Sequence, residues 1–108
     1  MTRFDCPYLK GVVELTEKRE RHIAESHPDL LPAHRDRIEL TLADPDEVRK
    51  SIRFGEARLF SRWFEDLRSG KHVVVVVVSQ TELNRRHWVI TAYIARKLAG
   101  GAIEWKRN

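Results

Sequence analysis

The chain has 108 residues, of which 42% are apolar and 33% charged, a balance typical of one folded domain rather than a disordered segment. Its longest apolar run, at residues 73–78, is far shorter than the roughly 20 residues that cross a bilayer, and the opening "MTRFDCPYLK" lacks the apolar stretch of a signal peptide. We therefore expect a single domain over residues 1–108 with no membrane partner, and the lone cysteine, Cys6, fits a reducing, cytoplasmic setting.

Positive charge is concentrated in the second half of the chain. Residues 1–54 carry ten Lys/Arg against eleven Asp/Glu, whereas residues 55–108 carry ten against five, a net charge of +5. Arginines outnumber lysines fourteen to six, and the planar guanidinium group binds phosphate with two parallel hydrogen bonds. This composition favours a partner that carries phosphate, and the alternative is an ordinary solvated surface.

The first predicted elements are a strand and a helix. "GVVEL" at residues 11–15 has the pattern of a short strand, and Thr16 is a suitable N-cap for a helix that continues to about Ser26. Pro28 disfavours helical geometry at His27, so the helix should end there.

A second helix is expected over residues 32–43. Ile38 and Leu42 lie one turn apart in it, and the Asp-Pro pair at 44–45 closes it. Residues 47–53 fit either a turn of helix or a strand.

From residue 57 onward the apolar period changes to two, which predicts an antiparallel meander. Its strands are expected at 57–64, 72–79 and 87–96, with a short last strand at 102–105, and a polar loop at 80–86. The strand "HVVVVVVS" has no polar face, so we expect it to be covered on both sides. The chain is then α+β, with two N-terminal helices packed on one face of a curved antiparallel sheet of about four to five strands.

The side of the sheet without helices is expected to be polar at its outer strands. Alternation places Arg58 and Arg62 on one face of the strand 57–64, and His87, Thr91 and Tyr93 on one face of the strand 87–96. If both sets lie on the same side of the sheet, they form one surface of cations, hydroxyls and aromatic rings. A slip of one residue in the register would reverse this arrangement. Trp63, Trp88 and Trp105 are assigned to the core.

Two histidines in "HIAESHPDL" (residues 22–30) are candidates for proton transfer. His22 and His27 are five positions apart, which turns the second about 140° away from the first on a helix, whereas zinc-binding helices use a spacing of four. With no acidic or cysteine cluster to complete a ligand set, no metal site is expected. Either imidazole could exchange a proton with a ribose hydroxyl. The alternatives are an exposed helix residue for His22 and a dipole-stabilised helix terminus for His27.

The remaining candidates supply charge and hydroxyl groups. Arg58 and Arg62 lie about 13 Å apart on one strand face, where they fit phosphate contacts or, alternatively, surface ion pairs. Thr91 and Tyr93 share a face, and Tyr93 fits an acid, a base-stacking ring or a buried core residue. Substrate contacts are also expected from the strand ends, at Lys71, His72 and His87. No glycine-rich phosphate loop occurs, so no nucleotide cofactor is expected.

The order and spacing of several segments resemble the phage-associated branch of the barnase–EndoU–colicin–RelE-like (BECR) nuclease superfamily. The segments are "VELTEKRERHIAESHPDL", "IELTLADPDEVRKS", "ARLFSRWF", "GKHVVVVVVS" and "WVITAYIARKL", over about residues 12–106. The resemblance implies helices packed on a curved antiparallel sheet and a metal-independent endoribonuclease without a cofactor, in which the ribose 2′-hydroxyl attacks the adjacent phosphate. At "RLFSRWF" the chain departs from the pattern, because an aromatic hydroxyl would be expected where Phe60 or Ser61 stands.

By position in these motifs, the resemblance implies a site built from His22 and His27, Arg58 and Arg62, Lys71, Thr91 and Tyr93. The leading hypothesis is an RNA-cleaving enzyme of toxin or phage-effector type, with RNA as a partner and an antitoxin or immunity protein as a possible second one. A non-catalytic module that binds RNA or protein through the basic sheet face is the first alternative. A domain that only assembles with itself or an antitoxin is the second.

Overall fold

A computed structural model describes residues 1–53, 56–80, 82 and 85–108. Over these residues the chain forms two helices, a 3-10 turn and one sheet of strands. In chain order the elements are β1 (Thr2–Cys6), the 3-10 turn (Pro7–Leu9), β2 (Gly11–Leu15), α1 (Glu17–Ser26), α2 (Arg35–Ala43), β3 (Glu47–Lys50), β4 (Ala57–Phe64), β5 (Lys71–Gln80), β6 (Arg86–Ala95) and β7 (Ala102–Lys106). The loop predicted at 80–86 falls partly outside the described residues.

The sheet is larger than the sequence indicated. The described residues form seven strands in the order β1-β2-β6-β5-β4-β3-β7. All neighbours are antiparallel except β2 and β6, which are parallel and meet where Glu14 lies opposite Trp88. The chain is α+β, but the prediction of about four to five antiparallel strands is wrong: the sheet is seven-stranded and mixed. Strand β1 was missed because its inward alternation rests on only Phe4 and Cys6.

Local sequence signals set the bounds of the helices. Thr16 caps α1 by accepting a hydrogen bond from the backbone N–H of Arg19 at 3.2 Å, and the helix ends at Ser26, one residue before His27. Helix α2 begins at Arg35, later than predicted, because residues 28–34 form consecutive turns that bury Leu30 and Leu31. Among the described residues, no helix is long and apolar enough to cross a membrane.

Strand β5 separates the two faces of the sheet. Val73, Val75 and Val77 point into the main core, which α1 and α2 join through Ile23 and Ile38 among others. Val74 and Val76 point the opposite way into a second, smaller apolar cluster. The expectation that this strand is covered on both sides is confirmed. We call the face of Val73, Val75 and Val77 the helix side, and the face of Val74 and Val76 the open face.

A register shift in β6 determines which of its side chains reach each face. Thr91 lies opposite Val76, but Val89, and not Ile90, lies opposite Val77, so Ile90 is an extra residue. As a result Val89 belongs to the helix side, while Ile90 joins the cluster on the open face. The predicted common face running unbroken from residue 87 to residue 93 is therefore wrong.

The assignment of the tryptophans to the core is wrong for two of them. Trp63 is 39% exposed and Trp105 is 38% exposed. Trp63 instead packs against the ring of His72, with centroids 4.9 Å apart, and covers the turn at Gly70.

Replacing Gly70 by alanine should destabilise the fold more than the same change at Gly100. Both glycines have positive φ, +95° at Gly70 and +78° at Gly100, which costs an L-residue about 1 kcal/mol. A Cβ at Gly70 would lie only 2.5 Å from Cζ2 of Trp63, whereas one at Gly100 would meet no atom within 4 Å. Urea unfolding should show at least about 1 kcal/mol greater loss for Gly70→Ala than for Gly100→Ala. Equal losses would contradict the packing of Trp63 on this turn.

Candidate active site

A cleft of about 660 Å³ opens on the open face of the sheet. Strands β4, β5 and β6 supply its floor, the end of α1 supplies one wall, and the segments after β3 and before β7 supply the rest. The lining residues are His27, Ser51, Ile52, Arg53, Leu59, Val76, Thr91, Tyr93, Ala99, Gly100 and Gly101. The volume lies within the range of small-molecule sites.

His27 is held in the cleft by its backbone. The residue before a proline is excluded from helical geometry, and His27 accordingly has φ −133° and ψ 67° at the end of α1. Its N–H donates to the carbonyl of Ile23 at 2.7 Å, and its own carbonyl accepts from the N–H groups of Leu30 and Leu31. Both of its peptide groups are therefore fixed, and the side chain that starts from this backbone is half-buried.

Tyr93 and Thr91 project from β6 into the same cleft. They lie opposite Val74 and Val76 and so belong to the open face. The rings of Tyr93 and His27 are in contact, with centroids 5.9 Å apart and planes inclined by 39°. Burial raises the pKa of Tyr93 above its ordinary value, so its hydroxyl is protonated at neutral pH and available as a hydrogen-bond or proton donor.

Arg53 supplies positive charge at the cleft. The Oγ of Ser51 accepts a hydrogen bond from the N–H of Arg53 at 3.1 Å, which shapes the chain after β3. Opposite, Gly101 passes so close to Lys50 that a Cβ would lie 2.4 Å from its carbonyl oxygen, and only glycine allows this approach at φ +73°. Among the described residues, no carboxylate lines the cleft, so its only formal charge from Lys, Arg, Asp or Glu is that of Arg53.

Of the residues predicted for the site, the structure brings His27, Thr91 and Tyr93 together. His22 lies outside the cleft, exposed on α1. Arg58 and Arg62 lie opposite Val77 and Val73, on the helix side. The predicted convergence of these arginines with the imidazole is not what the structure shows.

Both strand arginines have structural partners. The Nε of Arg58 donates to Oε2 of Glu104 at 2.9 Å. Arg62 approaches the carbonyls of Leu40 and Asp44 at 3.5 Å, where a cation complements the C-terminal end of α2, and it stacks on Phe64 at 5.3 Å. Arg62 also lies 3.7 Å from Oδ2 of Asp44, so the ion-pair alternative describes both arginines as they are placed here.

The three residues predicted for substrate contacts also lie outside the cleft. Lys71 donates to the carbonyls of Arg68 at 2.7 Å and Gly70 at 3.1 Å and so fastens the turn before β5. His72 is on the open face but is packed against Trp63. His87 is buried on the helix side, with Nδ1 hydrogen-bonded to Oγ of Ser79 at 2.7 Å.

Arg53 is the cleft residue that the sequence analysis missed. It is the last residue of the stretch 47–53, whose sequence fits either a turn of helix or a strand. The direction of its side chain relative to the sheet could therefore not be predicted. The strand proves to be β3, which ends at Lys50. The only signal in the sequence was that an arginine follows the strand in a connection of undetermined path.

Comparison with known proteins gives no assignment: no family model matches the chain, and neither do any curated protein or solved structure. Among the described residues, no three histidine, cysteine or acidic side chains are grouped so that they could hold a metal ion.

The buried His87 and the half-buried His72 should make the stability depend on pH near neutrality. Burial lowers the pKa of His72, and burial together with Arg58 and Arg85 lowers the pKa of His87. Below about pH 6.5 these two histidines become protonated in the unfolded chain but stay neutral in the folded protein, because their pKa values are lower there. The free energy of unfolding should therefore decrease as the pH falls. Urea unfolding between pH 7.5 and 5.5 should show this decrease, and His87→Gln should reduce its slope.

The exposed His22 provides the matched control for that measurement. His22→Gln makes the same substitution at an exposed helix position and so controls for the change of residue type itself. A His87→Gln curve parallel to that of the unchanged protein would show that His87 does not contribute.

Proposed function

We propose that this protein is a metal-independent endoribonuclease whose catalytic groups are His27 and Tyr93. The observation that supports this is the contact of an imidazole and a half-buried phenol in a cleft that contains Arg53 and, among the described residues, no carboxylate. A base, an acid and a cation are the three groups that transfer of a phosphoryl group to a ribose hydroxyl needs. The resemblance of the sequence to BECR nucleases implies the same reaction.

In the proposed reaction His27 is the general base. It accepts the proton of the ribose 2′-hydroxyl as the 2′-oxygen forms a bond to the adjacent phosphorus. The bond from phosphorus to the 5′-oxygen breaks, and the Tyr93 hydroxyl gives its proton to that oxygen. The products are a 2′,3′-cyclic phosphate and a 5′-hydroxyl, and proton exchange with water restores both side chains.

Arg53 and Thr91 act on the phosphate. The Arg53 guanidinium stabilises the negative charge that develops on the non-bridging oxygens, and the Thr91 hydroxyl donates a hydrogen bond to one of them. The aliphatic floor of Leu59 and Val76 excludes water beneath these groups and strengthens their electrostatic interaction with the substrate.

The cellular role of the enzyme stays a prediction. The composition and the single cysteine favour action in the cytoplasm. A toxin or phage-effector role would require an antitoxin or immunity protein, which would inhibit the enzyme most directly by covering the cleft.

Substitution of either catalytic group should abolish most of the RNA cleavage. In the presence of EDTA, the purified protein should cleave a labelled single-stranded RNA, and His27→Gln and Tyr93→Phe should each lower the rate by about 100-fold or more. Mass spectrometry of the products should show cyclic phosphate ends.

His22→Gln is the matched control, because it changes the same type of side chain on α1, the helix that His27 follows, but outside the cleft. It should cleave at the rate of the unchanged protein. Loss of cleavage on chelation, or full activity of both cleft variants, would contradict the mechanism. Tight, salt-dependent binding of RNA without any turnover would favour the non-catalytic binding module instead.

The cation of the site can be identified by comparing two arginines. Arg53→Gln should lower the cleavage rate by at least about tenfold because it removes charge that stabilises the transition state. Arg62→Gln should leave cleavage unchanged and instead lower the thermal stability, since Arg62 interacts with the end of α2. The reverse pattern would place the reacting phosphate on the helix side and not in the cleft.

A further inference from the structure

A second cavity, of about 310 Å³, lies on the helix side of the sheet and shares no lining residue with the cleft. It is formed where the 3-10 turn, β4, β5, β6 and β7 meet. Its lining residues are Tyr8, Leu9, Lys10, Arg58, Ser79, Arg85, His87 and Glu104.

The charge of this cavity is unbalanced. Lys10, Arg58 and Arg85 contribute three cations, and Glu104 is the only carboxylate that lines it among the described residues. Glu104 is occupied by Arg58, through Nε at 2.9 Å, and by the hydroxyl of Tyr8. Neither Lys10 nor Arg85 forms an ion pair with a described carboxylate.

The geometry of the arginine and the histidine suits an oxyanion. Glu104 engages Arg58 through Nε, and the two terminal nitrogens of the guanidinium have no hydrogen-bond partner among the described residues. These two nitrogens form a fork of donors that matches phosphate. His87 is only 8% exposed, and its bond to Ser79 uses Nδ1, which leaves Nε2 as its second polar atom. Arg58 and Arg85 both lie close enough to His87 to lower its pKa.

Lys10 is held in an unusual backbone conformation at the edge of the cavity. It follows the 3-10 turn with φ 56° and ψ 42°, and its N–H donates to the carbonyl of Pro7 at 3.0 Å. Glycine adopts this left-handed geometry more easily than a residue with a Cβ. A lysine nevertheless occupies this position, where it lines the same cavity as Arg58 and Arg85.

We propose that this cavity binds the phosphate group of a nucleotide or of a nucleic acid strand. Arg58 and Arg85 form charge-assisted hydrogen bonds to the phosphate oxygens, and Lys10 contributes an ammonium group. The site lies on the side of the sheet opposite His27 and Tyr93 and does not require that the cleft be catalytic.

Equilibrium binding of defined probes tests the proposal. The probes are adenosine 5′-monophosphate, which carries a phosphate monoester, and a DNA strand without terminal phosphates, which carries only diesters and has no 2′-hydroxyl to react. Uncharged adenosine is the reference. Binding of the monophosphate alone identifies a nucleotide or strand-end site, and binding of the DNA strand identifies a contact within a strand.

Charge variants locate the binding. The double variant Lys10→Gln/Arg85→Gln should weaken the binding of the preferred probe by at least about tenfold. A hydrogen bond to a charged group contributes about tenfold or more in affinity. Glu104→Gln should tighten binding, because it removes the one carboxylate and frees Arg58. Lys18→Gln/Arg21→Gln removes the same charge from exposed positions on α1 and should have little effect.

Two results would overturn the proposal: no binding of either probe beyond that of adenosine, or equal weakening by the cavity variants and the α1 variants. Neither depends on turnover. A protein that binds the monophosphate but cleaves no RNA would refute only the nuclease, and one that cleaves RNA but binds neither probe would refute only this second site.

Discussion

The register shift at Ile90 is the constraint on which the arrangement of functional groups depends. A regular strand would place residues 87, 89, 91 and 93 on one face of the sheet. The extra residue instead sends His87 and Val89 to the helix side and Thr91 and Tyr93 to the open face. Strand β6 therefore supplies polar groups to two separate cavities, one on the open face of the sheet and one on its helix side.

The second requirement of the cleft is that the end of α1 reaches the open face. Strand β2 pairs with β6 only at Glu14 opposite Trp88, and α1, which follows β2 directly, contacts β6 itself. Pro28 then stops the helix where His27 meets Tyr93. The proline thus sets the backbone geometry of His27, from which the imidazole reaches Tyr93.

The sequence predicted the elements that depend on local pattern, and the prediction failed for features that depend on long-range strand pairing. Thr16, Pro28 and the valine run fixed α1 and the buried strand because each acts through neighbouring backbone or through burial. Strands β1 and β3 are short, and their assignment depends on partners far along the chain. A bulge leaves no mark in an apolar stretch such as "WVITAYIAR", so the separation of His87 from Tyr93 was not predictable.

The excess of positive charge in the sequence did not identify the residues that line the cleft. Arg58 and Arg62, chosen because they share a strand face, interact with Glu104 and with the end of α2, and Arg37 forms two 2.8 Å hydrogen bonds with Asp66. These arginines join elements that are distant in sequence. In the cleft and the second cavity, the cations without a carboxylate partner among the described residues come from connections: Arg53 after β3, Lys10 after the 3-10 turn and Arg85 before β6. A connection can present a charge to solvent without burying it, so such positions suit the binding of an anion better than the strands do.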